Sequence, residues 1–189
     1  MRPMKVRGRP RVLVDSDGRL YDDIDTDQIY HNRHLHVTEV GEMGQHALGN
    51  LIGWEGFPST VCQSDIVVAG RNFGSGSSRQ HAVDCFIALG VAAIVAESFG
   101  AIYKRNAINS GFAIVEVQGL RDVTAVLTEC EWMEIDLGSS VIQTSLALDL
   151  RVRPVPQVQK DIYLAGDLFA YGRSLMSAKK PHRRLAGPR

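Results

Sequence analysis

Ser77-Ser78-Arg79 follows a turn containing Gly74, Ser75 and Gly76, and the apolar run Val67-Val68-Ala69 leads into that turn. Glycine has no Cβ and tolerates positive φ, so the backbone at 74 and 76 can come close to a bound ligand. The segment after Arg79 is patterned as a helix, and the unpaired N–H groups that open a helix carry partial positive charge. Hydroxyls, N–H groups and a guanidinium converging on one space form a cradle for an oxyanion, either a carboxylate or a phosphate. Two plainer readings stand beside this one. The glycines can simply connect a strand to a helix, and Ser77 or Ser78 can cap that helix, which is compatible with a functional role. Both nucleotide-loop patterns fail: no lysine lies between 67 and 82, and the third glycine of the dinucleotide fingerprint falls on Arg79.

A second concentration of chemistry is Asp22-Asp23-Ile24-Asp25-Thr26-Asp27-Gln28-Ile29. A calcium loop requires glycine at its sixth position and glutamate at its twelfth. Counting from Asp23 those places hold Gln28 and His34, and from Asp15 they hold Leu20 and Thr26, so calcium is rejected. Asx-type turns account for some of these acids, but the run holds more carboxylates than a turn needs.

The elements that must position these residues can be read from periodicity. Residues 11–14 read as a strand and Asp17-Gly18 as a turn. A helix is expected over 39–50, a buried strand over 65–69, a helix over 79–89 ended by Gly90, and a strand over 92–96. Ser98 is expected to cap a helix over 99–109 that closes at Asn109-Ser110-Gly111. A strand follows at 112–117, a helix at 119–129, strand-like segments near 132–136, 141–144 and 146–152, and a mostly helical stretch over 157–176 interrupted near Gly166. The strand–helix–strand–helix–strand order of 65–117 implies parallel strands. The β-rich ends point to a mixed rather than purely doubly wound sheet, in an α/β fold.

With 189 residues, 44% hydrophobic and 22% charged, and no net charge, the chain is expected to form one globular domain. Its core is expected over 10–176, with a basic tail at 177–189. Neutral balance gives no bulk attraction to nucleic acid or membrane. The basic ends (Arg2, Lys5, Arg7, Arg9 and Arg11; Lys179, Lys180, Arg183 and Arg184) read as solvated termini. No run has the length of a membrane span, and the N-terminus lacks the apolar stretch of a signal peptide. Cys62, Cys85 and Cys130 are isolated, which fits a reducing cytoplasm and offers no paired metal-ligand spacing.

Four ordered motifs together carry a resemblance. They are Asp23-Ile24-Asp25-Thr26-Asp27-Gln28-Ile29, Gly70 to Arg79, Ala96-Glu97-Ser98-Phe99, and Arg105-Asn106-Ala107-Ile108-Asn109-Ser110-Gly111. In combination the chain resembles the small subunit of the isopropylmalate dehydratase/homoaconitase group, equivalent to the swivelling domain of aconitase. The resemblance spans all but the first few residues and the tail. It implies a swivelling β/β/α domain with a mixed, mainly parallel sheet that closes over a large catalytic subunit. It also implies that this partner, and not the present chain, carries a [4Fe–4S] cluster acting as a Lewis acid on a hydroxy acid.

Carried over by position, Ser77 would be the base that removes the C–H proton, with Asp27 beside it in the catalytic set. Ser78 and Arg79 would bind a substrate carboxylate, and Thr26 with Asp27 would line the site. A serine hydroxyl is a poor base near neutral pH, and no Ser–His–Asp set is evident to activate it. N–H groups of the glycine-rich turn, acting as an oxyanion hole, would stabilise its alkoxide. Many relatives have cysteine where this chain has Ser75 and glutamate where it has Gln80; the second change removes a carboxylate beside Arg79. His81 follows the family pattern, as either a packed, capping or proton-transferring residue. The loop after the Asp-Thr-Asp motif, here His34-Leu35-His36-Val37-Thr38, would contact the variable part of the substrate. His36 either binds a carboxylate when protonated or faces solvent. The resemblance implies a cytoplasmic hydro-lyase subunit acting on 3-isopropylmalate in leucine biosynthesis. Homocitrate-type, methylmalate (citramalate) and dimethylmalate substrates are alternatives, as is a non-catalytic binding or regulatory module on the same fold.

Overall fold

The computed structural model describes residues 2–178. Its strands are β1 (Lys5–Gly8), β2 (Pro10–Val12), β3 (Ile66–Ala69), β4 (Ala93–Ala96), β5 (Ala113–Gln118), β6 (Met133–Asp136), β7 (Val141–Thr144) and β8 (Arg151–Val152). The helices are α1 (Thr26–Ile29), α2 (Val40–Met43), α3 (Phe57–Thr60), α4 (His81–Ala88), α5 (Ala101–Asn109), α6 (Thr124–Glu129), α7 (Gln157–Ala165) and α8 (Leu168–Ala178).

A five-stranded sheet in the order β2-β3-β4-β5-β8 forms the centre, with β2 to β5 parallel and β8 antiparallel to β5. α4 and α5 provide the crossovers between β3, β4 and β5, as parallel neighbours require. β3 and β4 are buried at every residue, which is why Ile-Val-Val-Ala and Ala-Ile-Val-Ala show no alternation. One face of this sheet, with Val67, Ala69, Ile94, Ala96 and Ile114, packs on α4, α5 and the chain between Ile24 and Phe57. The other face, with Ile66, Val68, Val95 and Val115, packs on a second, antiparallel sheet in the order β1-β6-β7. The result is a β/β/α layering, a mixed and mainly parallel sheet between a small sheet and a helical layer.

Several elements depart from the periodicity reading. The basic N-terminus is a strand, not a solvated end: β1 pairs with β6, turning Lys5 and Arg7 outward and half-burying Val6. Lys5 lies 3.8 Å from Glu134, and the Arg7 guanidinium sits 4.0 Å from the centre of the Trp132 ring. Its short alternation is interrupted by charges that look like tail composition.

The helix expected over 39–50 is only α2 followed by a 3-10 turn at Gly44–His46, since Gly41, Gly44 and Gly49 weaken it. Ser98 does not cap α5. Its hydroxyl accepts from the Asn72 N–H at 2.9 Å, the helix starts after Gly100, and Phe99 instead bridges Phe73. The helix expected over 119–129 opens as a 3-10 turn at Leu120–Val123, and the strand expected over 146–152 shrinks to β8. α8 continues through Ala178, while Lys179, Lys180, Arg183 and Arg184 lie outside the described residues.

Candidate active site

β3 ends at Ala69, and the chain then turns over the C-terminal edge of the parallel sheet, where open α/β sheets hold ligands. Gly74 and Gly76 both have positive φ, 75° and 89°. The turn is joined to the acidic segment by backbone. Asp25 and Ser75 form a parallel bridge, and the Thr26 N–H donates to the Ser75 carbonyl at 2.9 Å. The Gly74 and Ser75 N–H groups both point at the Ile24 carbonyl, at 2.8 and 3.2 Å. Two motifs 50 residues apart in sequence therefore meet as one strip.

Arg79 closes that strip. Its guanidinium makes a two-pronged contact with Asp27, Nη1 to Oδ1 at 2.6 Å and Nη2 to Oδ2 at 2.9 Å, and Nη1 also donates to the Tyr30 carbonyl at 3.3 Å. The Arg79 side chain is 11% exposed and that of Asp27 41%. The hydrogen bond from Arg79 holds the Asp27 carboxyl below the usual carboxylate range, and Asp27 in turn raises Arg79.

The other acids of the segment each have their own partner, which explains why the run exceeds the needs of a turn. Asp22 accepts from the Arg71 N–H at 2.8 Å and takes Arg121 Nη2 on both oxygens, at 2.8 and 2.7 Å. Burial opposes ionisation of Asp22, but the Arg71 and Arg121 bonds prevail and its pKa is lowered. Asp23 accepts from Asn72 Nδ2 at 2.8 Å. Asp25 caps α1 in a reciprocal box with Gln28, each side chain accepting from the other's N–H, at 2.8 and 2.9 Å.

Ser77 and Ser78 are exposed, and neither caps a helix. α4 begins at His81 with Gln80 in the cap position, and the Ala82 and Val83 N–H groups turn back to the Arg79 and Gln80 carbonyls. The unbonded N–H groups expected at the helix terminus therefore lie in the preceding turn. Among the described residues, the Ser77, Ser78 and Arg79 N–H groups make no backbone hydrogen bond, so the donors belong to the turn itself. Thr26, expected to line the site, is 2% exposed beneath the turn. Gln80 does not stand beside Arg79: its amide donates to Asp84 and to Ser110, both at 2.8 Å. Burial raises the Asp84 pKa, so an amide donor there avoids a like-charge pair one helical turn apart.

The loop after α1 is built on histidines. His34 and His46 stack with centroids 3.7 Å apart, and both meet the edge of Tyr30. Burial, more than the neighbouring cations, pushes both imidazoles below their ordinary pKa. His81 packs on the Tyr30 ring at 5.4 Å, so packing is the role its geometry shows. His36 is exposed, with Nδ1 3.0 Å from the Arg33 carbonyl. The stack escaped sequence reasoning because His34 and His46 share no periodic element.

Known proteins resemble this chain in sequence and in fold. Residues 57–119, which hold the serine turn and α5, match the family model of the aconitase C-terminal domain. The 3-isopropylmalate dehydratase small subunit of Nautilia profundicola is 35% identical over 160 residues, covering 84% of this chain and 93% of that protein. That of Aquifex aeolicus is 35% identical over 177 residues, covering 93% and 99%. The crystal structure of 3-isopropylmalate dehydratase (LeuD) from Methanocaldococcus jannaschii superimposes with a TM-score of 0.77 at 31% identity, covering 94% of this chain and 99% of that one. The chain belongs to the 3-isopropylmalate dehydratase small-subunit family. The fold is accordingly the one the resemblance implies, and the chain is a component of an aconitase-family hydro-lyase.

The cysteines of this family member are dispersed: Cys62 is exposed, while Cys85 and Cys130 are buried. Among the described residues no three His, Cys, Asp or Glu side chains are grouped so as to hold a metal ion, so they do not fit an iron–sulfur cluster. No described helix is long and apolar enough to cross a membrane.

Proposed function

We propose that this chain is the small subunit of a two-subunit 3-isopropylmalate dehydratase and that the strip formed by 25–27 and 74–79 is its half of the active site. The joining of Asp25 to Ser75 and of Asp27 to Arg79 carries this reading, because it presents exposed serines and a carboxylate-binding arginine together. An iron–sulfur cluster, which in an aconitase-type reaction supplies the Lewis acid for the leaving hydroxyl, is assigned to the large subunit. Among the described residues no three His, Cys, Asp or Glu side chains are grouped to hold it.

In this reading Ser77 takes the C–H proton from the carbon next to a substrate carboxylate. The free N–H groups at 77–79 stabilise the serine oxygen as the alkoxide left once its hydroxyl proton has passed to solvent, before it does so. Arg79 receives a substrate carboxylate, and Ser78 donates a further hydrogen bond to it. Asp27 stands where that carboxylate would, occupying the guanidinium fork, and yields it on binding. Thr26, being buried, supports the turn through its backbone. His36, exposed in the loop, meets the variable group of the substrate. The free cysteines accord with a cytoplasmic location.

The test is reconstitution with the large subunit and a screen of isopropylmalate, homocitrate, citramalate and dimethylmalate. Dehydration of isopropylmalate above the others is expected. A preference for homocitrate would move the assignment to a substrate with an extra carboxylate, read by His36. A chain that forms a stable oligomer alone and binds no iron–sulfur partner would sink the enzyme reading.

A further inference from the structure

The serine turn rests on the first turn of α5, and the contact between them is unusually close. The Gly100 N–H donates to the Phe73 carbonyl at 2.9 Å. A Cβ at Gly100 would press into the Gly74 carbonyl and lie 3.1 Å from Ser75 Cα. The Gly100 backbone, with φ −57° and ψ 135°, is ordinary for any residue, so what excludes a side chain there is the turn above it.

One helical turn on, the Tyr103 ring lies against Gly74, where a Cβ would collide with it. Tyr103 is 2% exposed, packs parallel to Phe99 at 6.2 Å and meets the edge of Phe73 at 5.2 Å. Among the described residues its hydroxyl is a buried side-chain polar atom with no hydrogen-bond partner. A buried unpaired hydroxyl is costly, so nothing at this position is accounted for by the oxygen. The ring does the contacting.

We propose that Gly100 and Tyr103 are positioning residues that set the height of Ser77 above the sheet edge. The proposal rests on the reading of Ser77 as the base and adds to it the support that places the base. The Arg79 side chain is held from the other side, by Asp27 and the Tyr30 carbonyl. The two jobs of the strip thus have different direct side-chain supports. A displaced turn misplaces the base and leaves the carboxylate anchor where it was.

The test is steady-state kinetics of the reconstituted complex, with thermal melting and co-purification with the large subunit as checks of folding and assembly. Gly100→Ala is expected to lower kcat by about 10²-fold, the cost of misplacing a reacting group by about 1 Å, with KM changed less than about threefold. Tyr103→Leu, which removes the ring without inserting an atom, is expected to lower kcat in the same manner. Tyr103→Phe is expected to restore kcat to within about twofold of the parent and to melt no earlier. The proposal is overturned by a Gly100→Ala complex with unchanged kcat, by variants whose KM rises in step with the fall in kcat, or by a Tyr103→Phe complex as slow as Tyr103→Leu. Should Gly100→Ala fail to assemble, Tyr103→Leu against Tyr103→Phe decides on the same criteria. Ser77→Ala, run alongside, keeps the two ideas apart: full turnover there removes the base, whereas loss of turnover there with unchanged Gly100→Ala removes only the support.

Discussion

The serine turn and the acidic segment touch along a shared backbone bridge, yet they are held in opposite ways. Asp22, Asp23, Asp25 and Asp27 each have a partner, from an arginine, an asparagine or a backbone N–H. Ser77 and Ser78 are exposed, and the N–H groups of 77–79 are left free of backbone bonds. A group that is to meet a ligand has to keep its hydrogen-bonding capacity open, and the cost of holding it in place falls on its neighbours. The bonded acids and the packed floor of α5 supply that restraint. What looks in sequence like two reactive clusters is one with open hydroxyls and one whose carboxylates are bonded.

The largest expected break in this contrast is at the unheld side. Ser77→Ala should lower turnover of the reconstituted complex by ~10²–10⁴-fold, the usual worth of a positioned acid or base, while isothermal titration still detects substrate. Next comes the junction. Arg79→Lys keeps the charge but loses the fork, so kcat/KM should fall about 10–100-fold, mainly through KM; steady-state kinetics would show it, and an unchanged KM would place the carboxylate elsewhere.

A break on the held side should appear in stability before chemistry. Asp22→Ala removes the solvent-exposed bonds that Arg121 and the Arg71 N–H make to it, and urea unfolding should record a loss of at most about 1 kcal/mol. If instead turnover collapsed with stability intact, the acidic segment would be more than a support.

The smallest effect is one of pH, and its pH window separates the two kinds of pair. The Asp27 carboxyl is lowered, so its contribution to stability is present above the ordinary carboxylate pKa and lost only as pH falls through its depressed value. His34 and His46 are lowered too, so the unfolded chain takes up protons first. Their contribution is complete above about pH 6.5, the unperturbed value, and declines as pH drops from there toward their folded pKa. Melting temperature should therefore fall measurably between about pH 6.5 and 5, and His46→Phe should flatten that slope. An unaltered slope would detach the histidine stack from it.

Much of this was legible in the chain. Apolar runs fully buried between two layers, such as 66–69 and 93–96, are visible because nothing polar interrupts them. The serine turn and the Asp-Thr-Asp segment were visible because their residue types have few other uses at that density. Their mutual contact was not, since a parallel bridge between Asp25 and Ser75 leaves no local pattern. β1 was missed because Lys5 and Arg7 point to solvent from a strand with a single half-buried aliphatic, Val6. The late start of α5 was missed because Ser98 is a good cap by type, but pairing of Phe73 with Phe99 holds the chain extended there. Gln80 read as a lost charge beside Arg79, whereas its direction is set by Asp84 and Ser110, three-dimensional neighbours.

The central claim is that the exposed serine of the unheld turn is the base, and proton transfer itself can be followed. 3-Isopropylmalate carrying deuterium on the carbon that loses its hydrogen would be incubated with the complex, and release of the label to water measured alongside alkene formation. The account predicts steady release by the parent complex and none above background from Ser77→Ala with substrate bound. Release from Ser77→Ala at the parent rate would contradict it.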